Sequence, residues 1–223
     1  LGQRLGAGTP LLLDYLEREV LAGLPPALRH ALFVLAHMPR FCAELCTHLL
    51  DEQGGAGVLE QLRQRQLFLH GLDSCGKWFR LWRPLANLLR RLPDGRTPLQ
   101  AHVRACQWFA QRGEVREAVE HALWAEQPDV AASYLQRYGQ DQLLIGHSVA
   151  QFLHWRDELP ASLLNSTPRL IMLYGWALAL ACQLDAAQEL LDQLARFLPA
   201  AEPAAQRSLL AQWQALDGVI ARG

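Results

Sequence analysis

No stretch of this sequence is apolar for long enough to span a bilayer, and its first residues lack the basic-then-apolar order of a secretory leader. Both absences point to a soluble protein. Charge of one sign is also missing: 21 Lys and Arg face 22 Asp and Glu, so no global field draws the chain to nucleic acid or to an anionic membrane. The five cysteines (Cys42, Cys46, Cys75, Cys106, Cys182) are odd in number and unevenly spread, which does not make a disulfide framework and favours a reducing cytoplasm. No G-x-x-x-x-G-K-[ST] run exists. Gly54-Gly55-Ala56-Gly57 is glycine-rich but lacks the Lys and Ser/Thr that reach phosphate and magnesium, so it reads as a helix linker. No cofactor is expected in this segment, and ATP should not bind to it. No Met lies near Leu1, and the expectation is a segment of a longer protein.

What is present is a recurring small residue followed five places later by Ala. It occurs as Gly113…Ala118, weakly around Gly146, and again as Cys182…Ala187, in steps of 33 and 36 residues. These bracket the period of roughly 34 residues typical of tetratricopeptide helical hairpins. Gly175, Leu191 and Pro199 continue the register around the last copy. Small residues would let the two helices of a hairpin approach closely, and each hairpin must stack on its neighbours to bury its apolar face. Such an array points to binding.

The N-terminal part reads differently. Leu12, Leu16, Val20 and Leu24 recur every four residues and form one helical stripe over Leu11–Leu24, stopped by Pro25-Pro26. Helices are expected from Pro26 to about His37, over Ala43–Leu50 and over Val58–Gln66. Leu67-Phe68-Leu69 and Trp78-Phe79-Arg80-Leu81-Trp82 then flank Asp73-Ser74-Cys75-Gly76, which reads as a β-hairpin. Three helices and a hairpin are the parts of a winged helix. From Pro98 onward the pattern is helical, broken at Pro128, Pro160, Pro168, Pro199 and Pro203. The expected fold is all-α with one small β-hairpin: a connecting helix over 1–24, a winged helix over 25–95 and a tetratricopeptide-like solenoid, incomplete, over 97–223.

Few residues suggest chemistry. Cys42, Cys46 and His48, with His37 upstream, could supply zinc ligands, but C-x3-C is unusual for structural zinc and buried thiols on a helix face explain it. His102, His121 and His154 have no nucleophile or carboxylate partner at local spacing, and Asp157-Glu158 reads as a solvated helix end. No metal site and no catalytic residue are expected, and the chain reads as not an enzyme.

The order of several segments resembles a family. Asp14-Tyr15-Leu16…Glu19-Val20-Leu21…Leu24-Pro25, Leu67-Phe68-Leu69 with Trp78-Phe79-Arg80, His102…Trp108-Phe109 and Glu117-Ala118…His121-Ala122-Leu123 are similar to the middle of the MalT-like, LuxR-type large ATP-binding transcriptional regulators. Leu153…Trp155…Leu159-Pro160, Pro168-Arg169-Leu170 and Trp176-Ala177-Leu178 keep the same order. The resemblance implies an NTPase domain that binds ATP, then a winged helix, a superhelical sensor and a C-terminal helix-turn-helix that binds DNA. This chain would be the winged helix and the start of the sensor. It departs from the pattern at Trp82-Arg83-Pro84-Leu85, where a His-His pair is common.

Three surfaces follow. Between Val58 and Arg104 nine basic residues, among them Arg63, Arg65, Lys77, Arg80, Arg83, Arg90, Arg91, Arg96 and Arg104, face three acidic ones, a local charge of +6. This patch suits an acidic face of the NTPase domain, or simple solvation of the surface, better than DNA, because the resemblance places the DNA reader elsewhere and the helix before the hairpin offers few Asn or Ser side chains for base edges. In the tetratricopeptide register, positions two, five, nine and twelve line the groove. They are Gln100, Val103, Gln107 and Ala110 in the first copy, Ser133, Gln136, Gln140 and Leu143 in the middle, and Arg169, Met172, Trp176 and Ala179 in the last. Gln107, Gln136, Gln140, Arg169, Met172 and Trp176 are the candidates for contact with a small-molecule effector or a regulatory protein. Leu209, Trp213, Leu216 and Ile220 share one face of a terminal helix, which suggests a homodimer contact. The resulting expectation is the coupling and sensor segment of a signal-responsive transcription regulator. A protein-binding scaffold is the next reading, and an all-helical enzyme a more distant one.

Overall fold

Helix α1 (Thr9–Tyr15) does not continue as one α-helix but widens into a π-helical segment, Leu16–Leu21. There the Ala22 amide donates to the Glu17 carbonyl, five residues back, at 3.0 Å. The extra residue per turn changes which side chains face inward. Leu16 and Leu21 are buried, whereas Val20 and Leu24 of the expected four-residue stripe are only partly so. The computed structural model describes residues 9–50, 55–65, 67, 69–95, 99–144, 149–197 and 203–221. Gly54, Gln66, Phe68, Arg96, Pro98, Gly146 and Pro199, and the side chains of Leu12 and Leu209, lie outside the described residues. The chain divides between Trp108 and Phe109 into two units.

The first unit holds α2 (Pro26–Leu35), α3 (Ala43–Leu50) and α4 (Gly55–Gln64), then β1 (Leu69–Gly71), β2 (Phe79–Leu81) and α5 (Arg83–Leu89). Pro26 occupies the first turn of α2, where its missing N–H leaves no bond unmade. Helix α4 begins at Gly55, so Gly55–Gly57, expected as a linker, form its first turn and Val58, Leu59 and Leu62 its buried face. β1 and β2 are antiparallel, with Leu69 opposite Leu81 and Gly71 opposite Phe79. At the tip Asp73 Oδ1 accepts from the Lys77 and Trp78 amides at 2.9 and 3.2 Å, and Gly76 takes φ +63°. Phe79 has a second neighbour, because its amide and carbonyl exchange 2.8 Å bonds with Phe41. A single bridged residue carries no alternating pattern, so this third edge is invisible in the sequence. Helix α5 was not expected either, although Pro84 in its first turn is a start signal.

A 3₁₀ turn, Pro93–Gly95, closes the winged helix. Gly95 must be glycine, because a Cβ there would sit 1.9 Å from the Leu89 carbonyl oxygen. Its own carbonyl accepts from His37 Nε2 at 2.9 Å, and the His37 ring meets His102 edge-on, 6.2 Å between centroids. His102 lies on α6 (Leu99–Gln111) and is 2% exposed. Burial, and then the neighbouring His37, lower its pKa to about 4; burial also lowers that of His37.

The second unit contains α7 (Val115–Trp124), α8 (Pro128–Leu144), α9 (Val149–Glu158), the short α10 (Ala161–Ser166), α11 (Pro168–Leu180), α12 (Leu184–Ala195) and α13 (Pro203–Ile220). Three helix ends repeat one turn. Gly113, Glu126 and Cys182 take φ +73°, +57° and +57°. In each, the following amide (Glu114, Gln127, Gln183) reaches back to the carbonyl of Phe109, Ala122 or Leu178 at 3.0, 2.9 and 2.9 Å. This is the Schellman arrangement, which satisfies the last carbonyls of a helix. The sequence expectation that the small residues at 113 and 182 allow close helix approach is therefore corrected: a Cβ at Gly113 would meet nothing within 4 Å. Their job is backbone handedness. The alanines five places on do pack closely, since Ala118 and Ala187 are 0% exposed.

Helix α11 is the centre of the unit, packing on α8, α9, α12 and α13 and burying Leu170–Gly175 and Ala177–Ala179. Here glycine does allow close approach. A Cβ on Gly139 of α8 would meet Leu173 Cδ2 at 2.6 Å, and one on Gly175 would meet Leu216 Cδ2 of α13 at 2.8 Å. Leu216 is accordingly 1% exposed, and Trp213 Nε1 donates to the Leu191 carbonyl at 3.3 Å. With Ile220 also packed on this cluster, Trp213, Leu216 and Ile220 of the stripe expected to form a homodimer face α11 and α12, and among the described residues the exposed large apolar ones of α13 are Leu210 and Val219.

Two outcomes are expected. His102 binds a proton more weakly folded than unfolded, so stability is fully present above pH 6.5 and declines as pH falls toward 4, by up to roughly 3 kcal/mol. Urea titrations of His102→Phe beside the parent chain should show a shallower decline in the variant, what remains there coming in part from His37; equal slopes would contradict it. Replacing Cys182 by Gly should raise stability by about 0.5–1 kcal/mol, because release of left-handed strain exceeds the added chain entropy, while Gly113→Ala should lower it by a similar amount. Thermal melts of the two variants check the opposite signs.

Candidate functional site

In the second unit a cavity of about 640 Å3 opens between α8, α11 and α13. Five of the six expected groove residues line it: Gln136 and Gln140 from α8, and Arg169, Met172 and Trp176 from α11. Their convergence follows from helical spacing, since residues three to four apart share a face and α8 and α11 lie side by side. Gln107 is exposed on α6 and is not among the lining residues. Met172 is buried and Trp176 half-buried, so both also belong to the core that α11 makes with α12 and α13.

The floor is apolar, made by the buried Leu135, Leu143, Leu173 and Met172 with the half-buried Trp176, and the exposed Leu180 lies at the edge. The rim is polar. Arg137 and Asp141 join Gln136 and Gln140 on α8, Arg169 stands at the start of α11, and Ser208 and Gln212 come from α13. None of Gln136, Gln140, Arg169 and Gln212 makes a side-chain hydrogen bond or ion pair among the described residues. Such groups are available to a ligand, and an apolar floor with a few placed polar groups is the usual composition of a small-molecule site.

The α13 wall was missed by the sequence reading, although the signal was there. Gln136, Gln140 and Leu143 lead to Met172, Trp176 and Ala179 by adding 36, and adding 36 again gives Ser208, Gln212 and Ala215, all of which line the cavity. Arg137, Asp141 and Leu173 could not be found by that count, because they flank the groove positions.

The basic residues of the first unit are spread over several elements. Arg63 lies on α4 with its guanidinium 5.9 Å from the Phe79 ring, Arg65 follows that helix, Lys77 is exposed at the hairpin tip and Arg80 is half-buried on β2. Arg83 opens α5, and Arg90 and Arg91 are exposed at its end. Arg104 donates to the Leu49 carbonyl at 3.1 Å, closing the end of α3. On α4, Gln64 Nε2 bonds Glu60 Oε1 at 3.1 Å, which removes one of the few amides that a base-reading helix would present.

The other candidates resolve into packing. Cys42 and Cys46 are buried, and burial together with the neighbouring Cys42 pushes the Cys46 thiol up to about 12. A thiol held protonated is a poor metal ligand. His48 is exposed while His37 bonds Gly95. His121 stacks on Phe109 at 5.4 Å and meets Trp124 edge-on at 5.1 Å, and His154 bonds Glu158 at 3.0 Å on the surface. Among the described residues no group of three or more His, Cys, Asp or Glu could hold a metal ion, and no helix is long and apolar enough to cross a membrane.

Comparison with known proteins agrees with this architecture. The family model described as the MalT winged helix domain matches residues 17–101, the stretch that holds α2–α5 and the hairpin. The serine/threonine-protein kinase PknK of Mycobacterium tuberculosis (strain ATCC 25618 / H37Rv) is 32% identical over 176 residues, covering 78% of this chain and 16% of the kinase. The HTH-type transcriptional regulator MalT of Vibrio parahaemolyticus is 29% identical over 168 residues, covering 74% of this chain and 18% of the regulator. The chain thus spans less than a fifth of the length of these curated relatives. With a similarity to these proteins that runs through about three quarters of its length, the chain carries a winged helix domain of the MalT type at residues 17–101.

Proposed function

We propose that this chain is the coupling and sensor segment of a signal-responsive transcription regulator, in which a tetratricopeptide-like array binds a small-molecule effector or a regulatory protein. The observation that carries this reading is the convergence of groove positions from three helices, in steps of 36 residues, on one cavity. Successive hairpins that each place the same positions on an inner surface are how such arrays make binding sites. The comparisons add a second support. A kinase and a transcriptional regulator are each similar to about three quarters of this chain, so they share a stretch that is tied neither to phosphoryl transfer nor to reading DNA. A sensing and coupling role suits both.

In this reading the segment binds and does not catalyse, works in the cytoplasm and holds no cofactor. ATP belongs to an NTPase domain elsewhere in the parent protein, and DNA to a helix-turn-helix elsewhere. The exposed Lys77, Arg83, Arg90 and Arg91 dock against an acidic face of the NTPase domain. An effector that touches α8, α11 and α13 together favours the arrangement in which the three helices are closest. Its differential affinity for that arrangement biases the regulator between inactive and active states.

In the full-length parent protein, Trp176→Ala should raise the effector level needed for half-maximal reporter output by about thirtyfold, as expected for truncating an aromatic anchor. Gln140→Ala, on an exposed residue, should give a smaller shift in the same direction with unchanged helicity and Tm. An unaltered dose response in both folded variants would contradict the groove as the sensing site.

A further inference from the structure

We propose that the cavity between α8, α11 and α13 takes a small-molecule monocarboxylate with an apolar body, its head at Arg169 and its body against Trp176 and Met172. The inference rests on the reading of this cavity as the effector site and adds the chemical class of the effector.

Charge carries the argument. The lining holds two guanidiniums, Arg137 and Arg169, and one carboxylate, Asp141. Asp141 lies one helical turn after Arg137 on α8 without forming an ion pair with it, so the lining as a whole carries one net positive charge. Arg169, on the facing helix, has no ion-pair partner among the described residues. One positive charge is therefore left for the ligand. A guanidinium presents two parallel N–H groups that match a carboxylate, whereas a phosphate dianion would bring surplus negative charge beside Asp141. An ammonium head would meet two guanidiniums against a single carboxylate. A neutral polyol would desolvate Arg169 without supplying a counter-charge.

The rest of the cavity selects the body. Its volume of about 640 Å3 falls within the range for small-molecule sites, and its floor is Leu135, Leu143 and Leu173 beside Met172 and Trp176. Gln136 and Gln140 from α8 and Gln212 from α13 have amides with no partner among the described residues, so a ligand that extends from Arg169 along the cavity would touch all three helices.

The test uses three probes with one phenylpropyl body and different heads: 4-phenylbutanoate, 4-phenylbutanamide and 4-phenylbutylammonium. The readout is the indole N–H resonance of Trp176, assigned by its disappearance in Trp176→Phe. The carboxylate should shift it saturably, the amide should bind at least about tenfold more weakly, and the ammonium should be weakest. Arg169→Gln should bring the carboxylate down to the affinity of the amide while leaving Tm unchanged. Equal affinity for carboxylate and amide, or preference for the ammonium, overturns the carboxylate assignment and leaves the cavity standing as a binding site. Silence of all three probes at Trp176 also overturns it, and the reporter response of Trp176→Ala in the parent protein then separately decides whether the cavity senses anything.

Discussion

Close contact at two glycines sets the geometry of the helical unit. Helix α11 has α8 on one side and α13 on another, with Leu173 against Gly139 and Leu216 against Gly175, each so close that a Cβ would push the leucine methyl aside. Neither glycine is needed for a turn; both lie inside helices, where glycine disfavours the helix by about 1 kcal/mol relative to alanine. Packing outweighs that penalty, since burying a leucine fully contributes about 1.5–3 kcal/mol. The cavity exists because α8 and α13 are both seated on α11 and the space beside it is left open.

In the proposed sensing role the same arrangement would link binding to transmission. Trp213 and Leu216 fasten α13 to α11 and α12, while Ala211, Gln212 and Ala215 of the same helix face the cavity. One helix thus carries both a packing face and a ligand face. A ligand that contacts α8 and α13 at once adds a bond across the gap, and only the difference in its affinity between closed and open arrangements can do work on the rest of the protein. In the winged helix the equivalent constraint is a backbone contact. Gly95 lies where no side chain fits, and its carbonyl fixes His37 beside His102.

Much of this was legible in the sequence where periodicity or a turn signal was strong. Helix α3 over Ala43–Leu50 and the hairpin around Asp73–Gly76 were located closely, and five of six groove candidates were placed on one cavity by counting along a repeat. The losses have physical causes. A π-helical segment breaks the four-residue rule, so Val20 and Leu24 yielded the buried face to Leu21. A one-residue bridge at Phe41 has no period to detect. Glu126 and Cys182 adopt left-handed geometry without being glycine, so two of three identical turns lacked the glycine that signals it. The meaning of small residues was also context-dependent, because Gly113 serves a turn and Gly175 a contact. Finally, an amphipathic stripe tells that a helix has a partner but not which one, and α13 found its partner inside its own unit.

Hydrogen exchange of Gly175→Val tests the dependence on close helix contact most directly. A valine there collides with Leu216, so the account predicts that amides of α13 exchange about tenfold faster or more while those of α12 keep their protection. Protection of α13 unchanged from that of the parent chain would show that its seat does not depend on the missing side chain at position 175, and would contradict the account.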